Sequence, residues 1–226
     1  TGSNSIDKSE IMHTGTGRID TLMMYPMSLY ESGESNGSIS LADLFSKSDV
    51  LENGCESDLT IDQLIFAACR GGWPSSLHKK SDKAKLLVAR SYFDSLCAED
   101  ITNVDGVQRD ETTTRLLLRS YARNISTMVA NRTIIKDINA NVELSEATFY
   151  NYIKALKKLF LIQDVEAWCP AIRSKSAIQA TDKREFVDPS LVVAALGVEP
   201  DYFNLDLKTF GFVFETLCIR DLKIYS

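Results

Sequence analysis

The residues best suited to chemistry in this sequence lie between Leu144 and Lys183. Ser145 reads as the N-cap of a helix, with Leu144 before it and Phe149 four positions after it as a hydrophobic staple that fixes the angle of entry. Phe149, Ile153, Leu156 and Phe160 then recur at helical spacing and face inward. That rotation leaves Thr148, Asn151, Lys154 and Lys158 pointing outward. A helix exposed in this way fits the major groove of DNA, where Asn bonds adenine bidentately and Lys reaches guanine or a phosphate. Thr148, Asn151 and Lys154 take the base-edge positions. Lys158, with Arg173 and Lys175 beyond the helix, take the backbone-phosphate positions.

Several elements must hold that helix in place. Ile134 to Ile138 reads as a short helix and Asn139 to Glu143 as a turn leading into the longer helix. Leu161 to Trp168 reads as a strand, Pro170 to Lys183 as a polar, basic tip, and Glu185 to Val187 as a returning strand. Helix, turn, helix and a basic hairpin are the order of a winged helix-turn-helix. Upstream, residues 41–130 read as helical. Ile61, Leu64, Ile65 and Ala68 mark one buried face, Thr60 and Gln63 a capping box, and Gly71-Gly72 with Pro74 a stop. A second helix runs from Ser81 to Cys97 and a third from Glu111 to Val129. Arg115, Arg119 and Arg123, spaced four apart on the third, form a solvated stripe. Residues 1–31 read as strand, loop, strand, and 32–40 as a mobile surface loop.

The predicted fold class is therefore mixed α/β and mostly α-helical. An α/β edge spans 1–31, a flexible loop and helical connector 32–130, a winged helix-turn-helix 131–205, and the start of a further domain 206–226.

Charge and composition narrow the function. The 226 residues carry a formal net charge of −6, yet Arg115 to Phe186 holds 12 basic and 7 acidic residues. Such a protein is not a general polyanion binder; it is a scaffold with one module suited to phosphate. No apolar run reaches the roughly 20 residues of a membrane helix, so no membrane contact is expected. Five scattered cysteines without a C-x-x-C argue for reduced thiols in the cytoplasm and against a disulfide framework or zinc site. His13 and His78 lack ligand-like neighbours, so no metal is expected. No P-loop, nucleophile elbow or H-E-x-x-H is present.

Thr1-Gly2-Ser3-Asn4, Gly17-Arg18 and Pro26-Met27-Ser28-Leu29-Tyr30-Glu31, followed by Gly71-Gly72-Trp73-Pro74, Phe186-Val187-Asp188 and Gly211-Phe212-Val213-Phe214-Glu215, occur in an order that resembles one family of prokaryotic AAA-type P-loop ATPases. The resemblance implies a chain that continues on both sides: an ATPase core before it and a restriction-endonuclease-like tail after it. Residues 1–31 would then be the edge of the α/β ATPase core. Ser3 matches the position that senses the γ-phosphate, and Arg18 matches a charge-stabilising arginine. ATP and Mg would belong to the parent protein only. Walker A and Walker B are not in these residues, so the chain alone is expected to be inactive. The family's basic-aromatic run is replaced by Ala177-Ile178-Gln179-Ala180-Thr181, and Glu215 has no acidic partners to make it catalytic. The functional expectation is part of an ATP-driven regulatory or remodelling protein whose winged helix contacts double-stranded DNA. The alternative is a non-catalytic DNA-binding or protein-interaction scaffold, packed on a partner or on its own ATPase core.

Overall fold

A computed structural model describes residues 22–46, 55–168 and 180–226. Their regular elements are helices: α1 Leu41–Ser46, α2 Ile61–Arg70, α3 Pro74–Leu77, α4 Asp82–Ser95, α5 Ile101–Asn103, α6 Glu111–Arg123, α7 Asn131–Asn139, α8 Glu146–Lys158, α9 Pro189–Leu196, α10 Pro200–Leu205 and α11 Leu207–Tyr225. A π turn, Leu96–Asp100, joins α4 to α5.

Local chemistry sets most of the helix boundaries. Thr60 and Gln63 close the predicted capping box on α2. Ser81, Asp110, Ser145 and Asp206 each accept a hydrogen bond from a backbone N–H of the first turn of α4, α6, α8 and α11, which satisfies donors the helix itself leaves orphaned. Gly197, at φ 71°, ends α9 in the left-handed conformation.

α9 is the centre of the fold. Its sequence is apolar on every side, and Pro189 through Val193 and Ala195 are all buried, as expected of a helix enclosed by others. α2, α4, α6 and α11 pack around it. Ile65, Phe93, Leu117, Leu118, Leu191 and Val213 belong to one continuous core.

A buried polar junction sits at the start of α9. The Asp188 side chain accepts from Gly72 N at 2.9 Å and from Arg220 Nη1 at 3.0 Å. Its other oxygen accepts from Ser190 N and Ser190 Oγ, and Ser190 Oγ accepts from Trp73 Nε1 at 2.8 Å. Arg220 also pairs with Asp221, whose second oxygen accepts from Leu29 N at 3.0 Å. Burial works against the Arg220 charge, but Asp188 and Asp221 outweigh it and raise its pKa. Both glycines of Gly71-Gly72 are required by close approach. A Cβ on Gly71 would collide with the Asp188 and Ser190 side chains, and one on Gly72 with the Met27 backbone.

Three expectations are corrected. Among the described residues the predicted α/β edge is absent: residues 22–28 carry no regular secondary structure, and the rest of that span, residues 1–21, lies outside the described residues. Leu22 and Met24 are 95% and 83% exposed, and the backbone bonds to helix ends, through Met27 N to Gly72 O and Leu29 N to Asp221, instead of to a strand. The winged hairpin also fails as a strand pair. The segments run antiparallel and share backbone bonds from Gln163 N to Glu185 O, between Val165 and Lys183, and from Val187 N to Leu161 O. Among the described residues they form only two isolated bridges, Ile162 with Phe186 and Val165 with Lys183. The ladder breaks at Gln163 and Glu185. Gln163 N donates to Glu185 O, but Glu185 N turns to the Asp164 side chain at 3.4 Å and Gln163 O accepts from Lys223 Nζ at 3.0 Å, while Arg184 bonds Ser126 and Thr127 on the opposite edge. Among the described residues the fold is all-helical, with neither an ATPase-core edge nor a winged-helix sheet. Finally, α6 stops at Arg123 rather than Val129, because the chain turns at Ser126, φ 57°.

The junction generates a stability prediction. Asp188→Ala removes the carboxylate shared by Gly72 N, Ser190 and Arg220 and leaves the buried Arg220 with Asp221 alone. It should cost about 3–5 kcal/mol, read as a lower urea midpoint at unchanged slope. A loss below about 1 kcal/mol would show that the junction contributes little.

Candidate nucleic-acid interface

α8 begins as the sequence requires. Ser145 Oγ accepts from Thr148 N at 3.1 Å, and Leu144 N donates to Asn139 Oδ1 at 2.8 Å, which sets the turn out of α7. Leu144, Phe149, Tyr152, Ala155 and Leu156 are buried. Thr148, Asn151 and Lys154 are exposed, while Lys158 and Ile153 are half-buried. The exposed face thus carries Thr148, Asn151, Lys154 and Lys158 together. Arg173 and Lys175 lie outside the described residues, as do Ser3 and Arg18.

A shallow groove of about 470 Å³ runs along the same helix, lined by Tyr150, Ile153, Lys154, Lys157 and Lys158. Lys154 is on the centre line of the exposed face. Tyr150 and Lys157 flank it on one side, Asn151 and Lys158 on the other. Lys157 Nζ lies 3.0 Å from Asp164 Oδ2. Asp164 is itself buried and receives Arg184 at 3.4 Å and the Tyr121 hydroxyl. Burial, with Asp164 beside it, pushes the Tyr121 phenol above its ordinary value, so it stays a proton donor. Lys154 and Lys158 make no ion pair with a described residue.

On the Asn151 side the helix is braced by Arg109. Its guanidinium lies over the Tyr152 ring at 5.8 Å, pairs with Asp105, and reaches Asn151 O at 3.4 Å. The hydrogen bond from Arg109 lowers the Asp105 pKa. The Tyr152 hydroxyl accepts from Asp110 N at 3.0 Å. These contacts fix α8 against α5 and the start of α6 without covering the lysines. The arginine stripe on α6 is absorbed internally at two of its three positions: Arg115 pairs with Glu111 and Asp94, and Arg123 with Asp137.

The sequence reading missed Tyr150 and Lys157, and it placed Ile153 inside. The signal for Tyr150 was its position at i−4 from Lys154, on the far side of the helix from Leu156.

Other reactive groups do not form a second site. Burial pushes the Cys69 and Cys97 thiols up to about 12, so both are protonated at neutral pH. No group of three metal-ligating side chains occurs among the described residues, and none of their helices is long and apolar enough to cross a membrane.

The profile of a family described as "Domain of unknown function (DUF8612)" matches residues 61–202, well over half of the sequence. The chain belongs to that family. No curated protein and no solved structure matches it. The DUF8612 span runs from the first residue of α2 into α10, so it contains Gly71-Gly72, the whole of α8 and Asp188. The other side of the polar junction, Leu29 and Arg220-Asp221, comes from outside the span.

Beneath the α8 layer, Glu185 joins the bridge segment to α11. It is fully buried and accepts from Ser126 Oγ at 2.9 Å and Thr216 Oγ1 at 2.8 Å. Burial pushes its carboxyl from 4.5 up to about 7, against the hydrogen bonds from Thr216 and Ser126; Glu215 adds to the rise and Lys183 opposes it. Between those values the folded chain holds a proton that the unfolded chain releases. Stability contributed by Glu185 therefore falls as pH rises from about 4.5 to about 7 and is level above that. Glu185→Gln should flatten this part of the stability profile, with a difference of up to about 3 kcal/mol across the window. Parallel urea-midpoint curves for the two proteins would refute the assignment.

Proposed function

We propose that the protein is a non-catalytic contact module that holds the phosphate backbone of a nucleic acid on the exposed face of α8. The observation that carries this reading is Lys154, central on a fixed helix face, with Lys157 and Lys158 one turn further on and Tyr150 one turn before. Lysines of this kind neutralise phosphates and release counterions, which gives affinity without sequence preference. The rest of the chain is acidic, so long-range attraction is confined to this region. The helix is braced by Arg109 and Tyr152, and among the described residues Lys154 and Lys157 on its basic face are exposed. The ATP-driven role implied by the resemblance would rest on residues before Thr1, and the contact proposed for α8 is independent of it.

The test is a salt titration of binding to labelled DNA. Binding should be measurable at about 50 mM salt and fall steeply with added salt. Lys154→Ala combined with Lys158→Ala should weaken it on any sequence and reduce the log–log salt slope by about 1 for each lysine. Binding absent at about 50 mM salt, or a double variant with an unchanged slope, would overturn the proposal.

A further inference from the structure

The α8 groove has a chemical polarity along its length. At its N-terminal end the Tyr150 ring is 47% exposed, yet it is fixed. Its plane lies at 71° to the buried Phe149 ring, centroids 5.6 Å apart, and its hydroxyl accepts from Asn131 Nδ2 at 3.3 Å. Ile153, half-buried, continues the apolar floor beside it, and Lys154, Lys157 and Lys158 surround the C-terminal end. With a rise of 1.5 Å per residue, the lysines lie about 6 to 12 Å along the axis from the ring.

We infer that this groove takes an unpaired stretch of nucleic acid, with one base laid on the Tyr150 ring over Ile153 and the adjoining phosphates on Lys154, Lys157 and Lys158. The inference rests on the nucleic-acid reading above and names the strand state it prefers. A ring 47% exposed, anchored by its hydroxyl and packed on Phe149, with ammonium groups beyond, is what base stacking with backbone neutralisation requires. A duplex keeps its bases paired and stacked, and offers that ring no face. The duplex-reading alternative fits the helix less well. Recognition helices contact bases through their N-terminal residues, and here that end carries exposed Glu143 and Glu146. Thr148 Oγ1 is within 2.8 Å of Ser145 Oγ and is engaged in the cap, and Asn151 does not line the groove.

The experiment is fluorescence anisotropy at about 50 mM salt, using labelled short oligothymidylate and a labelled duplex of the same length. The whole chain is compared with Tyr150→Ala, Tyr150→Phe and Asn151→Ala. The single strand should bind more tightly than the duplex. Tyr150→Ala should weaken single-strand binding by about 5- to 100-fold, while Tyr150→Phe, which keeps the ring, should stay within about 2-fold of the parent. Circular dichroism melting of each variant confirms that the fold is retained. Unchanged single-strand affinity in Tyr150→Ala would overturn the inference, as would equal losses in the Ala and Phe variants. So would tighter duplex binding with an Asn151→Ala loss confined to one base step, although that result would leave the nucleic-acid reading standing. Binding to neither probe would remove both.

Discussion

The fold depends on one fully buried carboxylate whose oxygens are filled by the chain itself. Asp188 is fully buried, and an ionised group in that position is tolerable only if its lone pairs are filled and an opposite charge is close. Gly72 N, Ser190 and Arg220 supply this. Each partner comes from a different part of the chain, so satisfying a single side chain specifies how the end of α2, the start of α9 and the last turns of α11 meet. Apolar packing alone would permit α9 to slide or rotate, because its surface is apolar on every side. The hydrogen bonds at its N-cap remove that freedom.

The same junction explains where the molecule is rigid enough to present a site. α6 packs on both α9 and α7, and the turn at Asn139 fixes where α8 begins. Arg109 and Tyr152 then set its rotation about its own axis. Position, entry and rotation of the basic face are thus each set by a different interaction. Asp164 adds a further condition by holding Lys157 and Arg184 together on one buried carboxylate.

What was legible in the sequence was local. The caps at Thr60 and Ser145, the stop at Gly71-Gly72 and the burial of Phe149 and Leu156 on α8 all follow from contacts within a turn or two, and the structure has them, while Ile153 and Phe160, read as inward, are only half-buried. The strands were not legible, because a short apolar run such as Leu22 to Tyr25, or a mixed one such as Leu161 to Trp168, says only that a segment can be extended. Whether it pairs depends on a partner elsewhere in the chain. The pairing breaks where Glu185 N turns to the Asp164 side chain and Gln163 O to Lys223 of α11, a tertiary event with no sequence-local sign. The exposed face of α8 was read with the right residues but without Tyr150, since an aromatic is assigned by default to the core. Nor does a row of Gly-Gly-Trp-Pro or Val-Asp-Pro announce that the two meet. The glycines read as a helix stop, and their closeness to Met27, Asp188 and Ser190 appears only in three dimensions.

The bond from Leu29 N to Asp221 joins residues 192 apart in the chain. Direct closure of a flexible loop that long would cost about 4–5 kcal/mol beyond a constant. The chain does not have to meet that cost in one step. Once α2 and α9 are packed, Met27 can dock on Gly72, and the closure that remains is only the shorter segment between them. The two described segments outside the DUF8612 span, 22–31 and α11, are thus clasped to each other through Leu29 and Asp221 and to the span through Gly72 and Asp188. Neither can leave the body without exposing part of the polar junction, so the two ends of the described chain hold or open together.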